Sequence, residues 1–154
     1  MKSILSFIAL VAFIPTLMAK SDDSLNRMKR NKFKLFLKAF APCPTITFPC
    51  SRIPNVCNNM RNAISKGKPT MLNRVTDPKI IAQNRRNSGC PRLPKVPGQS
   101  CDEYPFASSR QGGAGAVIMN VPSRENSIQG GLLAGFYRAQ KIGDGDCYKV
   151  ALGP

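Results

Sequence analysis

Histidine is absent from the chain, and so is tryptophan. The first absence excludes the most. No Ser-His-Asp triad, no paired-histidine ribonuclease chemistry and no histidine metal site can be assembled from these residues. A general acid or base must therefore be a carboxylate or, failing that, Lys, Tyr or Cys. Carboxylates are scarce as well: 8 Asp+Glu stand against 23 Lys+Arg in 154 residues, a net charge of +15. Long hydrophobic runs are also lacking. The apolar stretch from Ile4 to Ile14 falls short of the about 20 residues that span a bilayer, and no later segment is long and apolar enough to anchor the protein.

That stretch has another reading. Lys2, the run from Ile4 to Ile14, Pro15 and the small residues ending at Ala19 form the charged, apolar and cleavage regions of a secretory signal peptide. Residues 1–19 are accordingly expected to be a signal peptide and the product to be secreted and extracellular. Its removal takes away only Lys2, leaving 22 cations against 8 anions, or +14. Residues 20–41 form a basic arm or pro-segment, with Lys20, Arg27, Lys29, Arg30, Lys32, Lys34 and Lys38 interleaved with Leu25, Met28, Phe33, Leu35, Phe36 and Leu37. Either a solvated tail or contact with nucleic acid or an anionic membrane surface suits it. Residues 42–154 are long enough for one packed domain.

Six cysteines (Cys43, Cys50, Cys57, Cys90, Cys101 and Cys147) form an even set, which in an exported chain reads as disulfides. A zinc site fits less well, because no CxxC pair and no histidine are present. Spacing does not select the connectivity. A bridge from Cys90 to Cys101 is the one specific expectation, since it would close the loop marked by Pro91, Pro94, Pro97 and Gly98.

Pattern and punctuation predict short strands alternating with helices, a small α+β domain. Thr45–Phe48 reads as a strand. Pro54 opens a helix to about Lys66, with Val56, Met60, Ala63 and Ile64 on one stripe and Gly67 at the C-terminal cap. Met71–Val75 is a second strand. Asp77-Pro78 caps and opens a short helix through Arg86. Val117–Val121 reads as a buried strand, 125–140 as a helix facing inward through Ile128, Leu132, Leu133 and Phe136, and Tyr148–Leu152 as a last strand. Gly112, Gly113 and Gly115 fit neither a dinucleotide-binding nor a P-loop pattern and suggest a tight hairpin turn. Asp144-Gly145-Asp146 lacks the spacing of a calcium loop and reads as a turn.

Five of the eight carboxylates fall after residue 100: Asp102, Glu103, Glu125, Asp144 and Asp146. A cationic surface around a few hard oxygen ligands suits phosphodiester cleavage. Cations offset phosphate repulsion, and carboxylates hold a divalent ion against the charge that develops at phosphorus. Simple charge balance with Arg110, Arg124, Arg138, Lys141 and Lys149 accounts for the same acids equally well.

The motifs separate these alternatives. CDEYPFASSRQGG (101–113), VPSRENSIQGG (121–131), GFYR (135–138) and the terminal IGDGDCYKV together resemble the NucA/NucB family of secreted deoxyribonucleases. A weaker likeness extends upstream to about residue 44. The resemblance implies a nonspecific metal-dependent endonuclease with a ββα-metal-like finger of the His-Me type, aspartate replacing the usual histidine. It departs from the bacterial pattern where Ser100-Cys101 replaces Asp-Arg, and in the added cysteines and arm.

Residue by residue, the resemblance makes Asp102 the general base and Glu103 its acidic neighbour. Asn126 becomes the amide that ligates the metal at the start of the finger helix, beside Glu125. An exposed aspartate with a pKa near about 3.9 is a feeble base, so desolvation or Glu103 must raise it. Adjacent strand residues point to opposite faces, so Asp102 and Glu103 need not share a site. Glu125 and Asn126 also suit helix capping. Arg110 and Arg124 are candidates to clamp a phosphate, and Gln129, three residues after Asn126, to orient a ligand or water. Oxygen ligands favour Mg²⁺ or Mn²⁺ as the cofactor. The expected partner is DNA bound without regard to sequence, RNA being left open, by a protein that is a monomer. The competing expectation is a non-enzymatic cationic secreted protein that binds nucleic acid or anionic membranes.

Overall fold

The computed structural model describes residues 23–33 and 42–154. The expected signal peptide, and the arm outside 23–33, lie beyond those residues. Residues 23–33 form a helix, α1, every residue of which is exposed. It carries Arg27, Lys29, Arg30 and Lys32 and one ion pair, Arg30 to Asp23 at 3.9 Å.

From Cys43 onward a second unit is built from β1 (Thr45–Pro49), α2 (Pro54–Ser65), β2 (Met71–Asn73), α3 (Pro78–Asn87), β3 (Gln99–Tyr104), β4 (Val117–Pro122), α4 (Ser123–Ala139) and β5 (Cys147–Gly153). It is a small α+β domain. β5 lies at the centre of a three-stranded sheet, parallel to β1 and antiparallel to β2. β3 and β4 pair antiparallel with Asp102 opposite Met119. α4 follows directly and packs on both strands, on β1 and on α2, so β3, β4 and α4 form a ββα unit.

Local sequence explains most of this. Pro54 sits at the first helical position of α2, and Val56, Met60 and Ala63 of the expected stripe are fully buried. Gly67 follows the helix at φ 82°, a left-handed conformation that costs glycine little. Asp77 caps α3 as expected, its Oδ1 accepting from Lys79 N at 2.8 Å. Phe48, Ile53, Val56, Met60, Leu72, Tyr104, Val121 and Tyr148 make the fully buried centre of the core.

Three disulfides staple the unit: Cys43–Cys147, Cys50–Cys57 and Cys90–Cys101. The last is the expected pair. It ties the short 3-10 turn at Cys90–Arg92 to β3, one residue before Asp102.

Two expectations need correction. β3 was absent from the predicted strands, because QSCDEY has no clean alternation of apolar and polar residues; pairing with β4 makes it extended. The glycines at 112, 113 and 115 do not form a tight hairpin turn. β3 and β4 are joined by the whole of residues 105–116, held down by a bridge between Arg74 and Ser109. Asn84 of α3 donates to the carbonyls of Ala107 (2.9 Å) and Ser109 (3.2 Å). Gly112 is needed for close approach rather than for turning, since a Cβ there would collide with the Phe106 carbonyl oxygen.

Candidate active site

Asp102 is 3% exposed although it is a carboxylate in a chain this polar. The alternation of β3 turns its side chain with those of Ser100 and Tyr104 towards α4 and α2. A buried amide receives it. Asn59 of α2, fully buried, donates from Nδ2 to Asp102 Oδ2 at 2.9 Å, and the buried amide of Gln129 on α4 lies close enough to favour the charged carboxyl more weakly. Burial pushes the Asp102 carboxyl up from 3.8 to about 6. The hydrogen bonds from Asn59, Gln129 and the Glu103 backbone oppose that rise, while the charge of Glu103 adds to it. A carboxyl so placed is still ionised at neutral pH and is a far better proton acceptor than an exposed aspartate.

The carboxyl borders a cavity of about 370 Å³. Asp102 and Glu103 line it from β3, Asn126, Gln129 and Tyr137 from α4, Ser108 from the 105–116 loop, Arg85 from α3, and Arg74 from the residue after β2. Asn126 spends its amide Nδ2 on Ser100 Oγ and the Cys101 carbonyl, both at 3.0 Å. Those two bonds fix which end of the amide is the donor and reserve Oδ1, a hard neutral oxygen, for another partner. Glu103 also keeps one buried carboxylate oxygen, Oε2, without a hydrogen-bond partner.

Four sequence candidates therefore come together around one cavity: Asp102, Glu103, Asn126 and Gln129. Three do not. Glu125 turns to α2, where Oε2 accepts from the backbone N–H of Asn55 (2.8 Å) and Val56 (3.3 Å) and Oε1 from Asn55 Nδ2 (2.7 Å). The reason is local. The N-cap of α2 is Ile53, which has no capping side chain, so its orphan N–H groups take a carboxylate from another helix. Glu125 thus serves α2 rather than the cavity. Arg110 is exposed and faces Asp144 at 3.7 Å, and Arg124 is exposed in the first turn of α4, outside the cavity lining. Asp144 also accepts from Thr76 N at 2.9 Å, and Asp146 from Gly143 N at 2.6 Å, which fits the turn expected there.

Sequence reasoning missed Asn59, Arg74, Arg85, Ser108 and Tyr137. Asn59 did leave a signal: it lies three residues after Val56 and four before Ala63, inside the apolar stripe of α2. Arg74 is half-buried, its guanidinium 3.9 Å from the centre of the Tyr137 ring. The Tyr137 hydroxyl is in turn bonded to Tyr148 (2.9 Å) and Ser108 (3.2 Å).

Among the described residues, no cluster of three or more His, Cys, Asp or Glu is arranged to hold a metal. A cation held here would thus rely on amide oxygen, water and substrate.

A family model described as deoxyribonuclease NucA/NucB matches residues 57–151, a span that includes most of α2 and the whole ββα unit. A DNA-entry nuclease of Bacillus subtilis (strain 168) is 26% identical over 125 residues, which cover 81% of this chain and 79% of that protein.

Proposed function

The chain belongs to the NucA/NucB deoxyribonuclease family, and from that premise we propose that it is a secreted endonuclease hydrolysing DNA phosphodiester bonds with Asp102 as general base. The observation that carries this reading is the Asp102 carboxyl: buried, hydrogen-bonded by the Asn59 amide, raised to about 6 and bordering a cavity that also holds arginines. Asp102 takes a proton from the attacking water as its oxygen adds to phosphorus. The bond from phosphorus to the leaving ester oxygen breaks, and that oxygen departs with a proton from solvent. Asn59 holds the carboxyl in place, and Asn59 and Gln129 both favour its charged form at neutral pH.

The cavity suits a hard divalent cation, Mg²⁺ or Mn²⁺, on two counts. Asn126 retains a free amide Oδ1, and Glu103 contributes negative charge with an unpartnered buried oxygen. A single protein ligand is compatible with Mg²⁺, which keeps several waters and binds substrate phosphate. When bound, such an ion supplies charge stabilisation at the phosphate. Asn126 would hold it, and Glu125, committed to α2, would not. Sequence-independent affinity comes from the net charge of +14 that remains without residues 1–19, acting on the phosphate backbone. Export is supported by the three disulfides, which persist in oxidising compartments. No described helix is long and apolar enough to cross a membrane.

Plasmid nicking tests the reading. The oxidised protein should convert supercoiled DNA to open-circle and linear forms in Mg²⁺ or Mn²⁺, lose that ability in EDTA and regain it when the ion is restored. Undiminished cleavage in excess chelator would remove the metal from the proposal, and no cleavage with any divalent ion would remove the nuclease.

A further inference from the structure

Arg74 is placed in a way that packing alone does not explain. Its backbone is fixed on both sides: Arg74 N donates to the Asp146 carbonyl and its own carbonyl accepts from Gly145 N, each at 2.8 Å. Its side chain is half-buried, yet among the described residues no carboxylate forms an ion pair with it, and Nε is buried without a hydrogen-bond partner. Among the described residues the only hydrogen bond from the guanidinium is a long one, Nη1 to the Ser108 carbonyl at 3.5 Å. A cation taken partly out of water normally gains a counter-ion or several hydrogen bonds in return. Arg74 gains mainly the face of Tyr137.

Tyr137 is a prepared platform. Its hydroxyl is held by Tyr148 and Ser108, and its ring packs edge-on to Tyr148 with centroids 5.3 Å apart. Stacking on such a ring fixes the guanidinium plane and leaves N–H groups free for another acceptor. Arg74 and Tyr137 line the same cavity as Asp102. At about 370 Å³ that cavity lies at the small end of ligand pockets, room for one phosphodiester linkage rather than a length of duplex.

We propose that Arg74, stacked on Tyr137, is a catalytic residue that donates to a non-bridging oxygen of the scissile phosphate and holds that phosphate against Asp102. This assignment rests on the nuclease reading and adds to it the group that meets the substrate's charge. It also moves the phosphate clamp away from Arg110, which faces Asp144, and from Arg124, which is outside the cavity. A planar fork in a preorganised, half-desolvated setting is worth most where charge accumulates, which is the transition state.

The experiment compares wild type, Arg74→Ala, Arg74→Lys and Asp102→Asn in single-turnover cleavage of a short DNA duplex with Mn²⁺, beside a binding titration and a melting curve. Loss of one transition-state donor should lower the Arg74→Ala rate by roughly 10²- to 10³-fold, with affinity for the duplex changed far less. Millimolar guanidinium chloride should restore part of the Arg74→Ala rate, against a sodium chloride control, and none of the Asp102→Asn rate. A merely structural arginine would not give that rescue. Arg74→Ala that melts like wild type and cleaves within a few-fold of it overturns the proposal. If Arg74→Ala fails to fold, Arg74→Lys decides. A point charge on a flexible stem cannot reproduce the fork, so its rate should fall by at least about tenfold, and wild-type turnover would overturn the assignment. Wild type that cleaves no DNA overturns the nuclease reading and this inference with it. Cleavage by wild type that is indifferent to Arg74 overturns the inference alone.

Discussion

Burying a carboxylate costs stability, and at Asp102 that cost is measurable. In the unfolded chain its carboxyl loses its proton near 3.8; in the folded protein it does so near about 6. Between those values the folded state binds more protons than the unfolded state, so stability falls as pH rises and the loss is complete above the folded value. Each pH unit of that gap is worth about 1.4 kcal/mol, giving roughly 3 kcal/mol. Asp102→Asn removes the titration while keeping shape and an acceptor for the Asn59 amide. The variant should therefore gain about 3 kcal/mol on its parent between pH 4 and pH 7.5, an upward shift in relative melting temperature on the order of 10 °C. The assay is chemical and thermal unfolding of both proteins across that range, oxidised and in EDTA. A stability difference that stays flat from pH 4 to 7.5 would refute the reasoning, because Asp102 would then titrate like an ordinary surface aspartate.

Further outcomes follow from other parts of the structure. The rate of DNA cleavage should rise about tenfold per pH unit below pH 6 and level off above it, as deprotonation of Asp102 requires; a plateau extending down to pH 4.5 would exclude that group as the base. Glu125→Gln weakens the cap on α2 and should cost about 1–2 kcal/mol in unfolding measurements, while the Mn²⁺ dependence of cleavage stays at the wild-type midpoint. Replacing both Cys90 and Cys101 with serine should lower stability by about 2–3 kcal/mol for a short closed loop. It should also slow single-turnover cleavage by at least about tenfold, because the strand carrying Asp102 loses its staple.

Elements whose signals are local were legible in the sequence. Pro54 and Gly67 bracket α2, Asp77-Pro78 opens α3, and the apolar strands β1, β4 and β5 stand at their expected places. What was hidden depends on partners distant in the chain. β3 is polar and owes its conformation to β4, and the 105–116 loop owes its path to Asn84 and Arg74. Asp102, Asn126 and Gln129 were singled out through motifs because they lie on a short stretch of chain, β3 and the first turns of α4, which lines one cavity. Arg74 was not, since a single arginine after a short strand reads as solvated until Tyr137 is seen beneath it. Glu125 misled in the opposite direction. It sits next to Asn126 in sequence, but the helix geometry separates neighbouring side chains by about 100°, enough to send one to the cavity and the other to α2.

The central claim is that Asp102 takes the proton of the attacking water. Single-turnover cleavage of a DNA duplex by Asp102→Asn, at saturating protein and Mg²⁺ or Mn²⁺, tests it most directly. The account predicts a folded protein that binds DNA within a few-fold of wild type and cleaves it roughly 10²- to 10⁴-fold more slowly, with no recovery at high metal concentration. Near wild-type cleavage by a normally folded Asp102→Asn would contradict it.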